Sequence, residues 1–167
     1  PYIRLKNDTK SDLVSFALED LLRKYDSQVA DADCELRANV MIAEKRFSTG
    51  LLPTRESYLT MKYDAGNYPD AEREQEYVVG EGCAGTCFAE NDPTYYPSDC
   101  GAQIEESLSA TKREITEEID SILSVPMYSN NNTEREPIGV LNIDSPQPLS
   151  DTGFDKEVAQ TLAMRHA

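Results

Sequence analysis

Two strand-like segments near the end of the chain most constrain what it can fold into. Over Ile122–Tyr128 and Ile138–Asp144 apolar side chains recur at every second position. A period of two sends successive side chains to opposite faces of a strand. Leu123, Val125 and Met127 therefore share one face of the first segment, and Leu141 and Ile143 share one face of the second. The opposite face carries Ile122 and Ser124, then Val140, Asn142 and Asp144. Ser129–Glu136 between them is polar, which predicts an antiparallel hairpin with a long tip, ended by Pro146 and Pro148. The oily face needs a core. The mixed face is either half-exposed sheet or, if another segment folds over it, the floor of a cavity in which Ser124, Asn142 and Asp144 supply hydrogen bonds. An enclosed Asp144 would need a partner, since an unpaired buried carboxylate is costly. A ligand amine or hydroxyl, or a backbone amide, would serve.

The rest of the chain can be placed around this hairpin. Leu13, Ala17, Leu18, Leu21 and Tyr25 form one stripe of a helix over Asp12–Tyr25, with Thr9 and Asp12 spaced as a capping box. Leu36–Arg46 alternates as a strand, with Leu36, Ala38, Val40 and Ile42 facing one way and Arg37, Asn39 and Met41 the other. Ser48–Arg55 reads as a connection to a second strand, Ser57–Tyr63, and the two are expected to pair as a hairpin. Asn67–Glu76 is polar and reads as a surface loop. Tyr77–Val79 is extended and leads into Gly80-Glu81-Gly82-Cys83-Ala84-Gly85. A short helix is expected over Thr86–Asn91, a short strand over Thr94–Pro97 and a polar surface helix over Glu105–Asp120. Asp151 is placed to cap a last helix with Phe154, Val158 and Leu162 on one side. Neighbouring strand pairs between terminal helices, without repeat or internal boundary, predict one α+β domain over residues 1–167.

Charge and cysteine usage narrow the function classes. The chain has 167 residues and a formal net charge of −15, which repels nucleic acid. No apolar run approaches the ~20 residues that cross a bilayer, and Pro1–Asp8 lacks a signal pattern. With no initiator Met, the sequence is expected to be a piece of a longer chain. Four cysteines at 34, 83, 87 and 100 are too few and too irregular for a disulfide framework, so a reducing, cytoplasmic setting is expected. His166 is the single histidine, so no Ser-His-Asp arrangement can be assembled, and Cys83-x-x-x-Cys87, without the four tightly spaced Cys or His ligands usual for zinc, reads as a pair of ordinary thiols. Gly80-x-Gly82-x-x-Gly85 matches a dinucleotide fingerprint, but Pro93 stops the following helix and no acidic strand end follows at the required distance. It reads as a tight turn.

Three segments carry a family resemblance: GEGCAGTCF at Gly80–Phe88, SILSVPMYS at Ser121–Ser129 and PIGVLNIDS at Pro137–Ser145. In this order, between two amphipathic helices, they resemble the GAF family, whose pattern is a glycine turn before a short helix, a variable stretch, an S-[IV]-L-x-V-P strand and a [PV]-I-G-V-L-x-[IL] return. The resemblance implies a central antiparallel sheet of about five to six strands, terminal helices on one face, and a variable segment covering a small-molecule pocket on the other. It implies a regulatory sensor without cofactor or metal, a homodimer built on the first and last helices, and signalling through those helices. The expected ligand-binding residues are Ile122, Ser124, Asn142 and Asp144 on the sheet, with Thr86, Cys87 and Phe88 and the Tyr95–Tyr96 pair as the roof. Two other readings stay open. One is a thiol enzyme similar to free methionine sulfoxide reductase, although that branch's glycine-turn Cys falls at Ala84 and its strand acid at Ile122. The other is a structural dimerisation module. The cyclic-nucleotide signature of the family is missing, and the absence of a Cys-His pair after the variable middle counts against a bilin-binding relative.

Overall fold

The structure is a computed structural model that describes residues 2–29, 34–47, 55–97, 101–129 and 136–167. Six strands form one antiparallel sheet: β1 (Arg37–Phe47), β2 (Arg55–Ala65), β3 (Glu76–Val78), β4 (Thr94–Tyr96), β5 (Ser121–Tyr128) and β6 (Pro137–Ser145), in the order β3-β2-β1-β6-β5-β4. The expected hairpins are both present, as β1–β2 and β5–β6, and they join at the centre through an antiparallel β1–β6 pairing. Local alternation predicts each hairpin. The β1–β6 contact brings Arg37 opposite Asp144 and Asn39 opposite Asn142.

The face carrying Val40, Leu123, Val125, Leu141 and Ile143 is covered by α1 (Tyr2–Gln28) and α7 (Glu157–Met164). Tyr25 and Phe154, both fully buried, meet edge to face at 5.5 Å. Helix α1 starts well before the expected Asp12, so Thr9 and Asp12 lie inside it and do not cap it. Its stripe reaches the sheet from Leu18 onward, while Leu13 and Phe16 stay 63% and 67% exposed. The expected last helix is two pieces, α6 (Leu149–Thr152) and α7. Asp151 lies within the first, and Gly153, at φ +64°, ends it in the left-handed conformation that glycine adopts most cheaply. Phe154 thereby plugs the core from the turn.

The other face is covered by α2 (Asp70–Arg73), α3 (Gly82–Glu90), α4 (Gly101–Ser107) and α5 (Ala110–Ile115). The segment Asn67–Glu76 is not the expected surface loop, because it contains α2 and buries Tyr68 and Glu72. Helix α3 begins at Gly82, one turn earlier than expected. Gly85 makes this possible: a Cβ there would stand 2.5 Å from the Val78 carbonyl oxygen, so only glycine lets the helix pack on the end of β3. The single helix expected over Glu105–Asp120 is broken between α4 and α5, where the Ser109 hydroxyl accepts from Lys112 N–H and starts a new helix. The expected connection at 48–54, the tip at 130–135 and Cys100 lie outside the described residues. No helix among the described residues is long and apolar enough to cross a membrane.

Candidate functional site

The polar face of the sheet is organised in two cross-strand rows. One runs Ser124–Asn142–Asn39 and the other Ile122–Asp144–Arg37. Directly opposed residues share a face, so the rows become side-chain contacts. Ser124 Oγ donates to Asn142 Oδ1 at 2.7 Å, and Asn142 Nδ2 donates to Asn39 Oδ1 at 2.8 Å. Asn39 Nδ2 donates to the Tyr68 hydroxyl at 3.1 Å, and Tyr68 donates to Asp144 Oδ2 at 2.5 Å. Arg37 Nε donates to the other oxygen, Oδ1, at 2.6 Å. An ionised carboxylate only accepts. That requirement orients the whole chain of bonds: Tyr68 must donate, so it accepts from Asn39, and so on back to Ser124.

Arg37 joins this wire to a second acid. Its NH1 and NH2 donate to Glu72 Oε1 and Oε2 at 3.2 and 3.1 Å, and NH1 also reaches the Asn67 carbonyl at 3.3 Å. Its guanidinium carbon lies 4.3 Å from the centre of the Tyr68 ring. Burial works against the charged guanidinium, but Asp144 and Glu72 more than offset it and leave its pKa above the ordinary value. Burial pushes the Asp144 carboxyl up to about 6 against the opposing pull of Arg37 and Tyr68. Burial and then Asp144 raise the Tyr68 phenol. The partner that an enclosed Asp144 needs is thus supplied by the protein itself.

Above these groups lies a cavity of about 550 Å³. Asn39, Asn142, Asp144, Glu72 and Tyr68 line its floor with Met41, Met61 and Ile122, and Gly82, Cys83 and Ala84 of α3 with Tyr77 line one side. Tyr96, Ile104 and Leu108 line it too, with residues of α5 and of the following turn. Three ties hold this α4–α5 cover down. The Gly82 amide donates to Ser107 Oγ at 2.8 Å, the Asp120 amide donates to the Ser145 carbonyl at 3.0 Å, and Lys112 Nζ donates to both Glu81 and the Glu76 carbonyl. The Lys112 ammonium also lies over the Tyr77 ring at 4.8 Å.

Of the residues expected here, Ile122, Asn142, Asp144 and Tyr96 line this cavity. Ser124 is fully buried beneath it and reaches it through Asn142. The roof departs from the expectation. Cys87 packs against Met41, Leu59 and Val140, with Phe88 at the margin of that cluster. Thr86 back-bonds to the Gly82 carbonyl and, with Tyr95, lines a separate cavity of about 400 Å³. The early start of α3 puts Gly82–Ala84 over the floor and turns residues 86–88 away. Tyr95 is opposite Leu123 and Tyr96 opposite Ile122, so alternation divides the pair between the two faces.

Arg37, Asn39, Tyr68 and Glu72 were absent from the expected site. Arg37-x-Asn39 on the non-core face of a strand was the available signal for two of them. A tyrosine in an otherwise polar stretch was the signal for Tyr68. Cys83 lines the cavity with its thiol pushed up to about 12 by burial, and burial also raises Cys87. Both are protonated at neutral pH, which makes poor nucleophiles. Among the described residues no group of three or more acids, cysteines or histidines is arranged to hold a metal.

A family model described as GAF domain matches residues 25–167. Curated protein sequences give no match. Among solved structures the chain is similar to a hypothetical protein from S. aureus, at 18% identity over 79% of this chain and 95% of that one, with a TM-score of 0.49. It is similar to NreA protein from Staphylococcus aureus mutated in its nitrate binding site, at 18% identity over 79% and 87% of the two chains, with a TM-score of 0.47. It is also similar to the GAF domain from Acinetobacter phosphoenolpyruvate-protein phosphotransferase, at 16% identity over 92% of each chain, with a TM-score of 0.40.

Proposed function

The chain belongs to the GAF domain family, and on that premise we propose that it is a regulatory sensor that binds a small molecule in the cavity over the polar face of its sheet. The observation that carries this reading is the cavity itself, floored by methionines and a continuous line of hydrogen-bonded side chains and walled in part by tyrosines. Small-molecule sites have this mixture of apolar wall and few, well-oriented polar groups. Asn142, Asp144, Ile122 and Tyr96 are the proposed contacts from the sequence, with Glu72, Tyr68, Asn39 and Tyr77 added by their position. Ser124 acts as a support for Asn142.

Strand alternation suggests the output route. Asn142 and Asp144 face the cavity while Leu141 and Ile143, in the same strand, face α1 and α7. A ligand that shifts β6 moves both faces together. The readout is then the terminal helices, and Leu13 and Phe16 on α1 with Val158 and Met164 on α7 offer exposed apolar side chains for a homodimer of this chain. Residues 1–167 would act as one sensory domain of a signalling protein in the cytoplasm, a setting compatible with Cys83 and Cys87 as free thiols.

Native mass spectrometry of the purified chain tests the reading. A co-purified small molecule that is lost in an Ile122→Trp variant, whose indole projects into the cavity from the sheet, is the expected result. A molecule retained by a folded Ile122→Trp protein would place the ligand elsewhere.

A further inference from the structure

We propose that this cavity, taken as the ligand site on the reading above, accepts a molecule bearing a cationic nitrogen, an ammonium or guanidinium seated against the cavity side of Glu72 and Asp144. The charges that line it are one-sided. Among the described residues, Glu72, Glu105, Glu114, Glu117, Asp120 and Asp144 face Arg113 alone. Two other cations lie nearby: Lys112 is engaged by Glu81 and the Glu76 carbonyl, and Arg37 is already spent, with four of its five N–H donors engaged by Asp144, Glu72 and the Asn67 carbonyl and with Tyr68 covering a face of its guanidinium. One guanidinium shared between two carboxylates leaves the buried trio one negative charge in excess.

Hydrogen-bonding capacity points the same way. A carboxylate offers about four lone-pair sites. Asp144 accepts from Arg37 and Tyr68, and Glu72 accepts two N–H groups of Arg37, so each keeps acceptor capacity for a donor. The spare donors of the floor are the second N–H groups of the Asn39 and Asn142 carboxamides, which are neutral. They suit a hydroxyl or carbonyl on the same ligand and cannot offset an anion placed beside two acids. The walls fit a cation's carbon skeleton. Tyr77, Tyr96, Met41 and Met61 are apolar and polarisable, and the Tyr77 ring already holds the Lys112 ammonium. The exposed acids Glu105, Glu114, Glu117 and Asp120 stand at the mouth, where a one-sign field raises the encounter rate of the opposite charge.

The test uses three probes of one shape and different charge on the full chain: phenethylamine, 2-phenylethanol and hydrocinnamate, followed by titration calorimetry. Phenethylamine should bind about 10-fold or more tighter than the alcohol, and hydrocinnamate should bind weakest. Glu72→Gln should weaken phenethylamine by about 10- to 100-fold and 2-phenylethanol far less. Glu117→Gln with Asp120→Asn, both at the exposed rim, cannot act through the fold of the floor; this pair should slow phenethylamine association several-fold at low salt and little at high salt. Hydrocinnamate binding as tightly as phenethylamine would overturn the cationic class while leaving the pocket in place. Binding of none of the three would overturn it as well, and the sensor reading would fall with it only if native mass spectrometry also finds the cavity empty.

Discussion

The two faces of one sheet are built on opposite principles. Under α1 and α7 the contacts are dry and apolar, with Tyr25 and Phe154 as the largest buried side chains. Under α3, α4 and α5 the same strands present Asp144, Arg37, Asn39 and Asn142, joined by Glu72 of α2 and by Tyr68 just before it, beneath a cavity. Burying charge costs several kcal/mol per ion unless partners compensate it, so the polar face contributes little net stability and the dry face must supply it. The difference separates the work: one face holds the domain together, and the other is free to be specialised for a ligand.

Deleting Phe154 should have the largest effect on the fold. Phe154→Ala empties the centre of the dry face and is expected to cost about 4 kcal/mol in chemical denaturation. The protein that remains folded should bind its ligand with unchanged affinity. A ligand affinity that fell in step with stability would break the separation between the faces.

Removing Arg37 is the corresponding cut on the polar face. Arg37→Gln leaves Asp144 and Glu72 enclosed without a cation and is expected to cost about 3 kcal/mol at pH 7. The loss should shrink at pH 5, where protonation discharges the stranded Asp144. Adding Asp144→Asn should recover part of it, giving a clear coupling energy in a double-mutant cycle. Additive losses would show that the two residues act apart.

Asp144 also gives the polar face a signature in pH. Its folded pKa of about 6 lies above its ordinary value of 3.8, so the folded state holds this proton more tightly than the unfolded chain. The contribution is therefore most favourable below about pH 4 and is lost as pH rises through 6, by about 2 kcal/mol. Asp144→Asn should remove that decline, measured as the difference between the two proteins' stability curves from pH 4 to 7. Identical slopes would mean that Arg37 holds the carboxyl lower than burial alone suggests.

The smallest effect on the fold is expected at Phe16, on the outer side of α1. Phe16→Asp should change stability by less than about 0.5 kcal/mol and yet convert the proposed homodimer to monomer in light scattering. A dimer that survives with Phe16→Asp and Leu13→Asp together would move the interface off this helix.

Much of this contrast was determined within the strands themselves. Period-two alternation assigned Leu123, Val125, Leu141 and Ile143 to one face and Ser124, Asn142 and Asp144 to the other, because side-chain direction along a strand is a local property. The glycine turn and the polar hairpin connection were legible for the same reason. The partners of Asp144 were not. Arg37 is 107 residues away in sequence and Tyr68 is 76, and nothing local says that β1 will pair with β6 or that α2 will fold inward. One helix start was missed where packing overrode the local signal: Gly80–Gly85 read as a turn, yet the absent side chain of Gly85 lets α3 begin at Gly82 and close on β3. Tertiary structure alone decided that Arg37 is consumed by Glu72 and Asp144, and hence that the cavity is left with an excess of acceptors. The physical reason is that the pairing energy of a buried charge depends on every group that shares it, and those groups meet only when distant strands do.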